Sequence, residues 1–156
     1  GFAPCQAELR DFIVDLMDAV EDIPGSALNE GIKWEWETFP EYLDAISRKP
    51  LACDVGVLVG HAGVRTWVLG RRASISDRPG GPENDPVKPE EIEQMAKVVE
   101  EAVAAGALGF STSRVMIHRD KSGTLTPGSL ASYQEMRDIG DAIARGGGGC
   151  FELATD

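Results

Sequence analysis

The sequence predicts an α/β fold in which parallel strands are flanked by helices. Along its 156 residues, short apolar segments alternate with longer segments whose apolar residues recur at helical spacing, as in parallel sheets with right-handed helical crossovers. Three segments, 52–61, 107–111 and 149–155, have the composition of strands. Because three strands leave a sheet incomplete, either partners complete it or the chain is a slice of a larger (β/α) barrel, whose sites lie at the carboxyl ends of the strands.

The first third of the chain predicts two helices, the first of which is amphipathic. In "CQAELRDFIVDLMDAVEDIP" the apolar residues form one stripe, and Pro24 closes the segment. Thr38 is a candidate N-cap for the second helix, with Pro40 near its first turn and Pro50 after its end. The stripe of the first helix consists of Leu9, Phe12, Ile13, Leu16, Met17 and Val20.

The middle of the chain predicts a strand, a loop and a long helix. "ACDVGVLVGH" (52–61) is a nearly continuous apolar run, typical of a parallel strand covered on both faces, and a short helical turn follows it. The segment 75–89 is rich in Pro, Gly and Asp without periodicity, which indicates an irregular loop. A helix follows over 89–106, with Pro89 suited to its first position and Gly106 to its C′ position.

The last third predicts a strand over 107–111, a polar loop, a helix over 130–145 and a strand over 149–155. The chain begins without Met and stops inside what resembles a strand. We therefore expect residues 1–156 to be a single segment of a longer protein, and we expect self-association through the sheet edges left open at both ends.

Composition narrows the classes of function. The formal net charge is -11, from 15 basic and 26 acidic residues, which argues against non-specific binding to nucleic acid or to anionic membranes. No apolar run approaches the roughly 20 residues of a membrane span, and no secretion signal opens the chain. The three cysteines are scattered, which favours reduced thiols and a cytoplasmic location.

Polar side chains follow each predicted strand where a barrel would bind its ligand. His61 follows the first strand, and Glu152 lies in the third. A lone histidine is more often a capping or core residue than a ligand, and strand-end hydroxyls often only satisfy backbone groups. Glu152, if it faces inward, needs a partner, which could be Arg114 or a metal. The candidate substrate-binding or mouth-lining residues are His61, Ser111, Thr112, Arg114 and His118.

Several motifs of established chemistry are absent from the sequence. There is no HxH, HExxH, GxSxG or Walker A pattern. "GGGGC" precedes a strand rather than opening a helix, so it does not suit phosphate binding. With only two histidines, a three-histidine zinc site cannot be built from this chain.

Several blocks nevertheless resemble one known family, the N-acyl-D-amino-acid deacylases (D-aminoacylases) of the amidohydrolase superfamily. The blocks are "GFAPC", "VEDIPGSAL", "GIKWEWETFPEYLDAI", "DVGVLVGHAGVRTWVLG", "EEIEQMAKVVEEAVAAGALGFSTSR" and "GTLTPGSLAS". The resemblance covers nearly the whole chain and implies a partial (β/α)8 TIM-type barrel of the amidohydrolase kind. It also implies a zinc-dependent enzyme that hydrolyses the amide bond of N-acyl-D-amino acids, in which metal-bound water attacks the amide and an Asp is the general base.

The resemblance places most of that machinery outside this segment. The HxH pair and the metal-bridging Cys lie upstream, so Cys5 is not that residue, and the general-base Asp lies downstream. A metal-binding His is expected within 152–154, where this chain reads "ELA". Glu152 and Asp156 are candidate ligands in its place. We therefore expect zinc in the intact parent, none bound by this segment, and no catalytic residue within it.

Two further hypotheses compete with the enzyme segment. The missing His motivates a non-catalytic barrel relative or interaction module that has lost metal ligands. A metal-free hydrolase using His61 with Ser111 is weaker, because the sequence offers no evident Asp to orient the histidine.

Overall fold

The computed structural model describes residues 1–74 and 86–156, which form helices around one three-stranded parallel sheet. The strands are β1 (Leu58–Gly60), β2 (Gly109–Ser113) and β3 (Cys150–Ala154), in the order β1-β2-β3. The helices are α1 (Arg10–Glu21), α2 (Gly25–Gly31), α3 (Phe39–Ser47), α4 (His61–Leu69), α5 (Pro89–Ala104) and α6 (Tyr133–Arg145). Single 3₁₀ turns precede α1 (Ala7–Leu9) and follow α4 (Gly70–Ser74). The predicted α/β class with parallel strands and flanking helices is confirmed.

The two crossover helices end with the same glycine motif before the chain enters a strand. After α5, Gly106 has a φ of 118°, and the amide of Ala107 donates to the carbonyl of Ala102 at 3.0 Å. After α6, Gly147 has a φ of 121°, and the amide of Gly148 donates to the carbonyl of Ile143 at 2.9 Å. Because glycine adopts positive φ without strain, these residues reverse the chain direction. The predicted C′ position of Gly106 is confirmed.

The sheet and its crossover helices share one apolar core. Val59 of β1 and Phe110 of β2 are fully buried against α5 and α6. A second cluster joins α1 to α2, and three of the six predicted stripe residues, Ile13, Leu16 and Met17, are among its buried members. Its buried members are Cys5, Ile13, Val14, Leu16, Met17 and Leu28. All five residues of β3 are exposed, so the sheet edge at β3 is open in the described part of the chain.

Several element boundaries differ from the sequence predictions. The first strand is wrong in length, because only Leu58–Gly60 pairs with β2, and Val55 is half exposed. The predicted short turn after it is the nine-residue helix α4, which begins at His61 itself. The second strand runs over Gly109–Ser113, so its hydroxyl residues lie inside the strand rather than after it.

The helix predictions near the start of the chain are largely confirmed. Thr38 caps α3 through a reciprocal capping box with Glu41. However, α1 ends at Glu21, where Asp22 adopts left-handed geometry, and not at Pro24. Pro24 instead precedes α2, a helix that the sequence analysis missed. The predicted loop 75–89 lies outside the described residues except for 86–88, which are irregular, and Pro89, which opens α5.

None of the helices in the described part of the chain is long and apolar enough to cross a lipid bilayer.

Candidate functional site

A cavity of about 230 Å³ lies at the carboxyl ends of the three strands. Helix α1 forms one wall, the strand ends form the floor, and the loop between β2 and α6 forms the other wall. Five of the six predicted site residues line it, and these are His61, Ser111, Thr112, His118 and Glu152. The structure therefore brings these five together, while their predicted role in substrate binding stays a prediction.

Strand β2 divides its polar residues between two faces, because successive side chains of a strand point to opposite sides. Phe110 and Thr112 are buried toward the helices, whereas Ser111 and Ser113 are only partly buried. Ser111 pairs in register with Gly60 of β1 and with Glu152 of β3. Ser111 and Glu152 therefore share one row across the cavity floor.

On the helix side, Thr112 belongs to a buried hydrogen-bonded network with His61 and two residues from α4 and α6. The Nδ1 atom of His61 lies 2.8 Å from Oγ1 of Thr112, and its Nε2 atom lies 2.7 Å from Oε1 of Glu135. Nη1 of Arg65 donates to both carboxylate oxygens of Glu135, at 2.7 and 2.6 Å. The network thus connects β2, α4 and α6.

Burial makes this network costly to disturb. Glu135 is 0% exposed, Arg65 1% and His61 2%. His61 and Arg65 are four residues apart on α4, so both reach the same carboxylate from one helix face. The Nε atom of Arg65 also donates to the carbonyl of Ala73 at 3.0 Å. We refer below to His61, Arg65, Thr112 and Glu135 as the buried network.

The electrostatics of the buried network fix the state of its histidine. Burial lowers the pKa of His61, and this effect outweighs the hydrogen bond and the charge of Glu135. Burial acts to raise the pKa of Glu135, but the hydrogen bond from His61 and the charge of Arg65 outweigh it, so that pKa lies below its usual value. Glu135 is thus an ionised acceptor. His61 is neutral, donates from Nε2 and accepts at Nδ1 from the Thr112 hydroxyl.

Packing confines the imidazole as tightly as the hydrogen bonds do. The ring of Phe110 meets that of His61 edge to face, with centroids 5.1 Å apart. Gly128 in the following loop has a φ of 95°, and a Cβ atom there would lie 2.3 Å from Nδ1 of His61. His61 is therefore a fixed core residue at the cavity wall, which is the less reactive of the two roles considered for it.

On the cavity side, Ser113 contacts the loop that covers it. Its Oγ lies 3.0 Å from Nδ1 of His118, which is half-buried, and it accepts a hydrogen bond from the amide of Val115 at 3.3 Å. Arg114 points elsewhere. Its Nη2 atom donates to the carbonyl of Ala131 and ties the two ends of the loop together. The structure does not place Arg114 among the residues that line the cavity.

The donor groups at this site do not fit a zinc ion. Within residues 1–74 and 86–156, no group of three or more His, Cys, Asp or Glu side chains could hold a metal. Both ring nitrogens of His61 are already bonded within the protein. Asp156 accepts from the amide of Met116 at 2.9 Å. Glu152 lines the cavity without a set of companion ligands, and its assignment as a ligand stays a prediction.

Sequence reasoning missed Arg65 and Glu135, which carry the charges of the buried network. The helical spacing of four between His61 and Arg65 in "HAGVR" was one signal. The sequence analysis found no acid to orient His61, but Glu135 occupies that place: it lies 74 residues from His61 along the chain and 2.7 Å from it in the structure. The hydroxyl partner of His61 is Thr112 and not Ser111.

Comparison with known proteins finds similar sequences that are much longer than this chain and match it over only part of their own length. An uncharacterized protein of Mycobacterium tuberculosis and one of Mycobacterium bovis are each 34% identical over 151 residues, which covers 91% of this chain and 23% of theirs. The D-aminoacylase of Alcaligenes xylosoxydans xylosoxydans is 33% identical over 102 residues, which covers 64% of this chain and 18% of that protein. This similarity indicates a relationship to the amidohydrolases.

The chain spans less than a quarter of the length of these curated relatives. No protein-family model matches the sequence. No solved structure matches it significantly either.

Proposed function

We propose that the protein is an amidohydrolase that cleaves the amide bond of N-acyl-D-amino acids, and that this chain forms part of its barrel wall. The similarity to a D-aminoacylase over 102 residues carries the proposal. The geometry supports it, because the carboxyl ends of all three parallel strands meet at one cavity, as ligand sites do in (β/α) barrels. Because the relatives are much longer than this chain, the activity is proposed for the whole protein.

In this proposal the residues of the chain bind and orient the substrate. The Ser111 hydroxyl, which has no side-chain hydrogen bond among the described residues, and the paired Ser113 and His118 would bind the amide group. In the reaction, water adds to the amide carbon, the C–N bond breaks, and the nitrogen takes a proton. The products are a carboxylate and the free D-amino acid. The proposed zinc would be held by residues other than those described here.

The experiment uses the protein expressed from its complete gene, purified with added zinc. We expect release of free D-amino acid from N-acyl-D-amino acids, with the L-enantiomers as the matched control. We also expect stoichiometric zinc by elemental analysis. No release from any N-acyl-D-amino acid would overturn the substrate assignment. Absence of both zinc and hydrolysis would instead favour the non-catalytic barrel relative.

Two further properties belong to the proposal. We propose that β3 pairs with a second copy or another segment through its open edge, where Phe151 and Leu153 are 39% and 48% exposed. Sedimentation analysis of Phe151→Lys against the unsubstituted protein tests this self-association.

The cytoplasmic location is also proposed. Cys53 and Cys150 are exposed and unpaired thiols, and such thiols persist in a reducing compartment.

A further inference from the structure

The cavity has one apolar wall and one polar floor. Leu16, Met17 and Val20 of α1 line it from one side. Ser111, in register with Glu152, lines it from the strand ends. Its volume of about 230 Å³ corresponds to about eight water molecules at ~30 Å³ per water. A short aliphatic chain with one polar end matches both the size and the two kinds of wall.

The charged Asp, Glu, Lys and Arg side chains that line the cavity are of one sign. Among the described residues that line it, the charged side chains are Glu21 and Glu152, and none is Lys or Arg. The guanidinium of Arg114 is directed to the carbonyl of Ala131.

Of the two histidines that line the cavity, His61 does not supply a counter-charge. His61 is held neutral within the buried network, with both nitrogens bonded. Nδ1 of His118 is bonded to the Ser113 hydroxyl. A carboxylate that entered the cavity would lose its hydration and meet two like charges, and both effects oppose its binding.

We infer that this cavity takes the uncharged apolar acyl end of an N-acyl amino acid, and that Glu152 determines specificity by rejecting acyl groups that end in a carboxylate. The inference rests on the proposed function for the identity of the substrate. The free carboxylate of the amino acid then lies outside the cavity. Selection against the wrong ligand by an unpaired like charge is a common means of specificity.

The direct test compares two ligands of similar length, hexanamide and adipic acid monoamide, which differ by a terminal carboxylate. Binding is followed through the ¹³C-methyl resonance of Met17 and the amide resonances of Ser111 and Ser113. We expect hexanamide to bind at least tenfold more tightly than the monoamide acid. Equal binding of the two ligands would overturn the inference.

The variant Glu152→Gln assigns the selectivity to its residue, and Glu90→Gln is the matched control, because Glu90 is exposed on α5, away from the cavity. We expect Glu152→Gln to reduce the preference for hexanamide severalfold and Glu90→Gln to leave it unchanged. An unchanged preference in Glu152→Gln would overturn the role of Glu152.

An activity measurement separates this inference from the proposed function. On the protein from the complete gene, the KM for an N-adipoyl-D-amino acid should exceed that for the N-hexanoyl compound, and Glu152→Gln should narrow the difference. If neither compound is hydrolysed while the ligand selectivity persists, the proposed function fails and the description of the cavity stands. If both are hydrolysed with equal KM, the inference fails and the proposed function stands.

Discussion

The two faces of β2 use the same kinds of side chain for opposite purposes. Toward the helices, the Thr112 hydroxyl is hydrogen-bonded to His61 in a network whose residues are at most 5% exposed. Toward the cavity, one residue before and one after it, the hydroxyls of Ser111 and Ser113 are partly exposed. On the helix-facing side the hydroxyl of Thr112 is hydrogen-bonded within the protein. On the cavity-facing side the Ser111 hydroxyl can still bind a ligand.

This difference shows that consecutive polar residues in a strand can have different roles, some in stability and others in ligand binding. Because side chains of a strand alternate, a run such as Ser-Thr-Ser cannot have one role. Buried polar groups must be satisfied within the protein, so Thr112 is committed to structure. The adjacent Ser111 hydroxyl remains available to a ligand, whereas Ser113 is bonded to His118 and to the Val115 amide. Substitutions on the two faces should therefore have separable effects on stability and on binding.

The largest effect is expected from Glu135→Gln, which removes the carboxylate that the buried Arg65 guanidinium faces. Removing one partner of a buried ion pair costs about 3–5 kcal/mol of the free energy of unfolding, measured by urea denaturation. Glu152→Gln on the cavity side is the control and should stay within about 0.5 kcal/mol. Equal stabilities of the two variants would contradict the distinction between the faces.

Gly128→Ala should have the next largest effect, because its Cβ would lie 2.3 Å from Nδ1 of His61. Gly123→Ala is a matched control, since Gly123 also has positive φ, at 84°, but no atom lies within 4 Å of its added Cβ. Left-handed geometry alone costs ~1–2 kcal/mol, and overpacking adds about 1–3 kcal/mol. A difference of zero between the thermal unfolding free energies of the two variants would show that the loop relieves the clash.

Thr112→Val tests the two faces most directly. It removes the hydroxyl that donates to Nδ1 of His61 and leaves that buried acceptor unsatisfied, at a cost of ~1–3 kcal/mol. Ser111→Ala, on the neighbouring position, should change stability by no more than about 0.5 kcal/mol while weakening ligand binding. If chemical denaturation showed that Ser111→Ala destabilises the protein more than Thr112→Val does, the structural hydroxyl would lie on the cavity-facing side, and the distinction between the faces would be wrong.

Mild acid should weaken the protein through the same buried network. Folded His61 has a pKa below the unfolded value of 6.5, so the unfolded state binds a proton first, and stability falls as pH drops below about 6.5. Folded Glu135 also has a pKa below its usual 4.5, which adds a further loss below that pH. The contribution of the buried network to stability is thus present above pH 6.5 and is lost as the pH falls. In His61→Asn, the loss between pH 6.5 and 5 should shrink, as measured by urea midpoints.

Local sequence patterns determined most of the elements of this protein, although they missed α2. Thr38, Pro89 and Gly106 mark helix ends through capping, fixed φ and positive φ, which depend on a few neighbouring residues. The alternation of strands and helices likewise gave the parallel sheet. The barrel expected from the resemblance stays a proposal, since three strands do not define its closure.

The site was only half determined in this way. Position after a strand identified the five residues that line the cavity, because parallel strands end at one edge. Tertiary structure alone decided which of them are committed. Glu135 lies 74 residues from His61 in the chain and becomes its partner only when α6 packs beside α4 and β2. Tertiary structure also decided that Arg114 donates to the carbonyl of Ala131, because hydrogen-bond partners depend on distances in space that no local pattern encodes.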